Sequence, residues 1–308
     1  MNTVASTIIP IFAIVGLGLV IRWRGFLPPG FLEPANRLVF YIAIPAMIFR
    51  SISGASLNAQ FNPEVLWITA FSLVIVYGVS WIGCLVFSVS FEKRATFIQS
   101  STHGNLGYVG LAVAFYYLGE DGLASAGILA GFIMILQNFL SVVVLQTHAE
   151  AYRKDKLKKK AVWKIIGNPV ILSAIAGILY SASGLDVPIV LERSLTIVGG
   201  LALPTALLII GATLSMDLIK VRLNEVFWIS FFKLFMLPGI GFLLYHLAGI
   251  KSFAYLPGLI LLASPTATVA LVMAKEMQAD SDAAVAAISA TTLMSAFSMA
   301  IWLKLAGL

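Results

Sequence analysis

Two short stretches of this chain combine helix-breaking residues with groups able to hold an anion: His103-Gly-Asn-Leu-Gly-Tyr-Val-Gly110 and Ala263-Ser-Pro-Thr-Ala-Thr268. Three Gly and an Asn within eight residues make a poor helix, at up to about 1 kcal/mol per Gly relative to Ala. Pro265 removes a backbone donor and clashes with the preceding turn, at about 3 kcal/mol. Where a helix resumes after such a break, its first N–H groups carry partial positive charge and suit a carboxylate or phosphate. Asn105 and the amides around Gly104, Gly107 and Tyr108 are the candidate anion contacts, with Ser264, Thr266 and Thr268 beside Pro265. A small cation would instead use the carbonyl ends of the first half-helices and the same hydroxyls. Ordinary kinks or small-residue packing sites are the plainer alternative for either stretch alone.

Lys233 lies eight residues beyond Glu225, roughly 12 Å along a helix and close to the middle of an apolar run. A charge at that depth costs from about 2.5 kcal/mol upward and normally has a partner or a task. Two tasks are open. The ammonium can neutralise helix carbonyl ends, each like about half a negative charge, or it can bind an anion or carry a proton, since buried Lys shifts its pKa readily. His103 abuts the first break and is either a titrating group or a hydrogen-bonded structural one. His246 reads as interfacial. Gln137 and Asn138 are amides at membrane depth that bridge helices or extend a cavity. No Asp or Glu falls deep in an apolar run, which argues against a cation/proton antiporter. There is no metal-ligand cluster, no phosphate-binding Gly loop with Lys and no nucleophile elbow, so neither an enzyme, a metal site, a cofactor nor direct ATP coupling is expected.

The elements that must hold these groups are set by composition. Of 308 residues, 60% are hydrophobic and 11% charged, with mean hydropathy +0.97, against about 25% charged in a typical soluble chain. Such a chain cannot cover its surface with polar groups, and lipid is its expected solvent. At roughly 20 apolar residues per membrane helix, ten spans are expected, at about 3–21, 31–50, 65–89, 96–118, 123–147, 163–183, 189–214, 225–248, 254–275 and 283–306. The first has no positive residue before it and is too long for a signal core, so it reads as a membrane helix. The lone Cys84 falls inside the third span and permits no intrachain disulfide.

Fifteen of the twenty Lys and Arg residues lie in segments after odd-numbered spans, while Arg50, Arg193, Lys251 and Lys304 fall on the opposite side. That asymmetry, rather than nucleic-acid binding, accounts for a pI near 9.4. It places the fifteen in the cytoplasm and both termini outside it. Residues 1–148 form a first five-span half and 163–308 a second, joined by a basic cytoplasmic link at 149–162. A lipid-headgroup or regulatory contact is the sharper alternative for that basic run.

The two halves copy each other. Glu64-Val-Leu-Trp-Ile-Thr-Ala-Phe-Ser-Leu73 and Glu225-Val-Phe-Trp-Ile-Ser-Phe-Phe-Lys-Leu234 agree at six of ten positions. An offset of 159 brings Pro10 onto Pro169, Pro45 onto Pro204, Asp121 onto Asp280 and Asn105 onto Ser264. With five spans per half, the second copy must be inverted. The expected fold class is an all-α membrane protein of ten helices in a 5+5 inverted repeat, with broken helices 4 and 9 crossing. Matched interruptions are the best sequence pointer to a carrier's binding site. Pro45 and Pro204 read as kinks that shape their helices, with cavity lining as the alternative.

The Gly104–Gly110 stretch resembles the fourth-span motif of the auxin efflux carrier family, which includes plant PIN carriers and bacterial malonate-type carriers. Phe40-Tyr-Ile-Ala-Ile-Pro45, Gly167-Asn-Pro169, Ala202-Leu-Pro-Thr-Ala-Leu207, Gly211-Ala-Thr-Leu214, Lys233 with Pro238, and Pro265-Thr-Ala267 extend the resemblance over essentially the whole chain. It implies a fold akin to bile-acid and sodium/proton transporters. Helices 1, 2, 6 and 7 would form a scaffold, and helices 3–5 and 8–10 a moving transport domain. It also implies a carboxylate substrate, elevator-like alternating access and a homodimer. Ala112 stands where the family motif often has Pro, which leaves the break less rigid on that side. The short link resembles bacterial members and points to a bacterial inner membrane.

The expected function is secondary transport of a small organic anion, driven by H+ or Na+. A sodium-coupled bile-acid-type carrier and a membrane ligand sensor on the same fold are the alternatives.

Overall fold

The computed structural model describes residues 3–56, 60–87, 89–148 and 167–307. The basic link expected at 149–162 lies outside the described residues. Described segments form helices and no strand: α1 Thr3–Trp23, α2 Pro29–Leu38, α3 Ile44–Ser53, α4 Pro63–Val86, α5 Phe91–Thr102, α6 Leu111–His148, α7 Pro169–Ala182, α8 Ile189–Gly200, α9 Ala202–Thr213, α10 Met216–Val221, α11 Leu223–Phe231, α12 Leu237–Leu247, α13 Ser252–Ala263, α14 Val269–Glu276 and α15 Ser281–Ala306. Wider π turns occupy Val39–Ala43, Leu106–Gly110 and Phe232–Met236.

Seven helical stretches among the described residues are long and apolar enough to cross a membrane: Val4–Trp23, Gly30–Ser53, Pro63–Val86, Leu106–Thr147, Ile189–Thr213, Leu223–Leu247 and Ser281–Ala306. The protein is therefore an all-helical, multi-pass membrane protein. The long stretch from Leu106 is two limbs, because Gly119 has φ 74° and ψ −162°, a conformation that glycine adopts without steric cost. Helix α13 is short because Ser264 leaves helical geometry at φ −59° and ψ 145°, as a residue before proline does.

Two of the π turns have a proline as their cause. Ile44 and Leu237 each precede a proline, and each N–H reaches back five residues, to Val39 O and Phe232 O. A proline ring clashes with the carbonyl four residues earlier, and the turn widens to avoid it. For Pro238 that carbonyl is Leu234 O, and the Trp302 indole N–H donates to it at 2.8 Å. Pro204 takes a different form: it sits in the first turn of α9, just beyond the end of α8 at Gly200.

Backbone contacts divide the chain into two compact units. The first comprises Met1–Pro63, Leu106–Phe132 and Ile166–Thr213, and the second Glu64–Asn105, Ile133–Ile165 and Leu214–Leu308. Within the first, α1 lies almost backbone to backbone on α9. A Cβ at Gly18 would sit 2.2 Å from Leu208 O, and one at Gly211 only 1.9 Å from Val15 O. Likewise α3 packs on α7 and α8, where a Cβ at Gly177 would lie 2.9 Å from Ile52 Cβ. Small residues permit such approach in lipid, where dispersion rather than water drives association.

Within the second unit, Val226 of α11 packs against Ala286 and Ala290 of α15. A chain of charges ties the starts of three helices together. Lys93 pairs with Glu225, and Arg222 bridges Glu225 at 3.1 Å and Asp280 at 2.7 Å. Burial alone would lower the Arg222 pKa, but the carboxylates of Asp280 and Glu225 outweigh it and the net shift is upward. Asp280 also caps α15, accepting the Ala283 N–H at 2.9 Å.

Because the atoms facing Gly211 are backbone and cannot rotate away, Gly211→Val should cost about 3 kcal/mol or more. Thermal unfolding of the detergent-solubilised protein, read by loss of the monodisperse peak, checks it; a wild-type midpoint would refute the close approach of α1 and α9.

Candidate functional site

Helix α5 ends at His103, whose N–H bonds to Gln99 O at 2.8 Å while its ψ of 99° turns the chain out of the helix. Helix α13 ends at Ser264. The two unwound segments then meet. Gly104 and Thr266 form an antiparallel bridge, with Asn105 N–H on Pro265 O at 2.7 Å and Ala267 N–H on His103 O at 2.9 Å. Two helix breaks thus satisfy each other's backbone, which matters because lipid offers no alternative partner.

The outward edges of this bridge are closed by side chains. On one side Gln137 of α6 accepts from the Gly104 N–H and donates to the Gly104 carbonyl, both at 3.2 Å. On the other, the Thr266 N–H donates to Thr291 Oγ1 of α15 at 3.0 Å. The Thr266 hydroxyl donates to Ser100 O at 2.7 Å, tying the second break to the last turn of α5. His103 Nδ1 lies 2.7 Å from Ser141 Oγ, which lies 2.8 Å from the Tyr77 hydroxyl. Tyr77 donates onward to Gln137 O at 3.4 Å. The chain is then consistent in one sense: Nδ1–H to Ser141, Ser141 to Tyr77, Tyr77 to the carbonyl.

The carbonyls at the end of α13 are also engaged. Leu261 O, orphaned by Pro265, accepts from the Ser264 hydroxyl at 2.6 Å and from the Ser264 N–H at 3.3 Å. Leu262 O accepts from Lys233 Nζ at 2.9 Å, and Lys233 is wholly buried at 0% exposure. A basic side chain therefore sits at the partially negative end of a half-helix.

His103, Gly104, Asn105, Ser264, Pro265 and Thr266 are brought together in the second unit, with Lys233 at the end of α13. Thr268 begins α14, half-buried and with no side-chain cap bond. Gly107 and Tyr108 belong to the first unit. Their turn starts at Leu106, one residue earlier than the second Gly suggests, and the Tyr108 hydroxyl donates to Asn36 Oδ1 at 2.6 Å. His246 is exposed, its Nδ1 3.0 Å from Phe242 O.

Ser141, Tyr77, Thr291 and Ser100 belong to the crossover and carry no distinctive sequence mark. Ser141 had the one available signal: it follows Gln137 by four residues and so shares its helix face.

A family profile described as membrane transport protein matches residues 3–303. The chain belongs to this family, the auxin efflux carriers. It is a transporter family and not one of enzymes. Relatives of the carrier span nearly its whole length. The chain is similar to a "Putative malonate transporter" of Rhizobium meliloti, 25% identical with 96% of this chain and 93% of the relative covered. An uncharacterized transporter of Methanocaldococcus jannaschii is 26% identical over 96% of this chain and 97% of its own. The uncharacterized transporter YfdV of Escherichia coli K12 is 23% identical over 75% and 74%. The carrier is thus a multi-pass membrane protein that handles a small-molecule substrate.

The Thr266 hydroxyl ties the second break to the first half-helix through Ser100 O. Thr266→Val keeps its shape but leaves Ser100 O buried and unpaired, and should cost about 1–3 kcal/mol. Thr266→Ser should restore the wild-type thermal midpoint; equal midpoints for all three proteins would count against this contact.

Proposed function

We propose that the protein is a secondary transporter of small organic anions, mono- or dicarboxylates, working by elevator-like alternating access across a bacterial inner membrane. The observation that carries this reading is the paired unwinding at Gly104 and Thr266 with Lys233 on Leu262 O. Irregular backbone at membrane depth survives where it lines a cavity or is buried in protein, and its helix starts attract anions. Asn105 and the head of α14 at Thr268 are the carboxylate contacts in this proposal, with Gly104, Ser264, Pro265 and Thr266 shaping the segment that presents them. Gly107 and Tyr108 head a separate helix start in the first unit. The relative described as a malonate transporter makes a short dicarboxylate the first probe.

Lys233 serves charge balance in this reading. Its ammonium stands where a metal cation would otherwise meet the carbonyl end of α13, which favours H+ over Na+ as the driving ion. The 5+5 inverted repeat underlies the mechanism. Spans 1, 2, 6 and 7 act as scaffold and spans 3–5 and 8–10 as the transport part of a homodimer. Both termini lie outside the cytoplasm.

Flux of radiolabelled malonate and a panel of monocarboxylates into proteoliposomes tests this, with proton and sodium gradients imposed separately. Saturable uptake that responds to the proton gradient is expected. Asn105→Ala should weaken half-saturation by about tenfold or more, the loss of a hydrogen bond to a charged group. Lys233→Met should abolish uptake. Binding without flux would identify a sensor, sodium-dependent flux a bile-acid-type carrier, and undiminished uptake by Asn105→Ala would remove the assigned site.

A further inference from the structure

We infer that Gln137 is the positioning residue of the first helix break, its side-chain amide standing in for a third β-strand that holds the backbone of Gly104 in place on both sides of its Cα. The inference rests on the crossover being the transport site. The geometry is the ground for it. A bridge of two extended segments has two inner and two outer edges of peptide groups. The inner edge is closed by the Asn105–Pro265 and Ala267–His103 bonds. The outer edge at Gly104 presents a donor and an acceptor to an apolar interior, and each would cost several kcal/mol if left unpaired. A primary amide is the side-chain group that carries one donor and one acceptor at peptide spacing. Gln137, 3% exposed, pairs with both.

The opposite outer edge is closed differently. Thr291 offers a hydroxyl that accepts the Thr266 N–H and donates to its own helix at Ala287 O. Gln137 instead pairs with both backbone groups of one residue, the N–H of the 103–104 peptide and the carbonyl of the 104–105 peptide, and so fixes the two peptides on either side of the Gly104 Cα. One turn further along α6, Ser141 holds the His103 ring. The face of α6 carrying residues 137 and 141 therefore orients two consecutive residues, His103 and Gly104. The next residue is Asn105, and its direction follows from the plane of the 104–105 peptide, whose carbonyl Gln137 holds. Gln137 touches no substrate in this account; it sets where Asn105 points.

The prediction separates a two-bond clasp from simple packing. Gln137→Met keeps the volume and loses both bonds. Gln137→Glu keeps both while its carboxyl is protonated and loses the donor when it ionises. Amide hydrogen exchange of substrate-free protein in nanodiscs should accelerate at Gly104 in Gln137→Met. Malonate half-saturation in proteoliposomes should weaken about tenfold in the same variant, as for loss of one charged contact. In Gln137→Glu the ratio of uptake to wild type should fall as pH rises. His103, Tyr77 and Lys233 are common to both proteins and cancel in that ratio. Unchanged exchange at Gly104 in Gln137→Met overturns the inference, as does a pH-independent ratio for Gln137→Glu. Accelerated exchange in a protein whose wild type takes up no carboxylate leaves the clasp standing and removes the substrate assignment instead.

Discussion

Two short antiparallel hydrogen bonds, from Asn105 to Pro265 and from Ala267 to His103, are the constraint on which the rest of the crossover depends. In water a broken helix is a minor matter, because solvent takes up the freed groups. At membrane depth each unpaired group costs several kcal/mol, comparable to a large share of a protein's net stability of about 5–15 kcal/mol. One break alone would be prohibitive. Two breaks placed against each other supply complementary donors and acceptors, and the unwound backbone becomes a stable feature. The surrounding polar groups follow from that arrangement. Gln137 and Thr291 close the flanks, Thr266 reaches the end of α5, and Lys233 answers the carbonyl end of α13.

The sequence made some of this plain and concealed the rest for physical reasons. Pro265 and the Gly-rich run at 104–110 are visible because their backbone chemistry is local to the residue. Lys233 is visible because a charge inside an apolar run is rare. Its acceptor is hidden, since Leu262 contributes only a carbonyl and every residue has one. The same holds for Gln137: the amide stands out, while the Gly104 backbone it clasps has no side chain to advertise the pairing. Ser141, Ser100 and Thr291 are lost among the many small hydroxyls that membrane helices carry as packing residues. The matched prolines show the limit of a repeat argument. Pro45 and Pro204 align in sequence, yet one follows a π turn and the other follows a one-residue irregularity at Leu201 between α8 and α9.

Helix counting met a similar limit. Apolar length identifies membrane segments well when the segment is one regular helix, as in α1, α4 and α15. A count of regular helices, seven among the described residues, omits segments where the chain unwinds midway, because neither piece reaches membrane length by itself. At Gly119 two limbs run on without an intervening loop, where the sequence reading separates spans 96–118 and 123–147. The segments that resist the count are thus the ones that gather the candidate site.

The widened turn ahead of Pro238 has a bearing on the ammonium itself. Each residue added to a helical turn rotates everything beyond it by about 100° around the axis. Were Phe232–Met236 to tighten into ordinary winding, the helices on its two sides would swing against each other by roughly that angle, and Lys233, inside the turn, would lose its line to Leu262 O. An imino acid five positions downstream thereby acts as a compass setting for the one wholly buried lysine among the described residues.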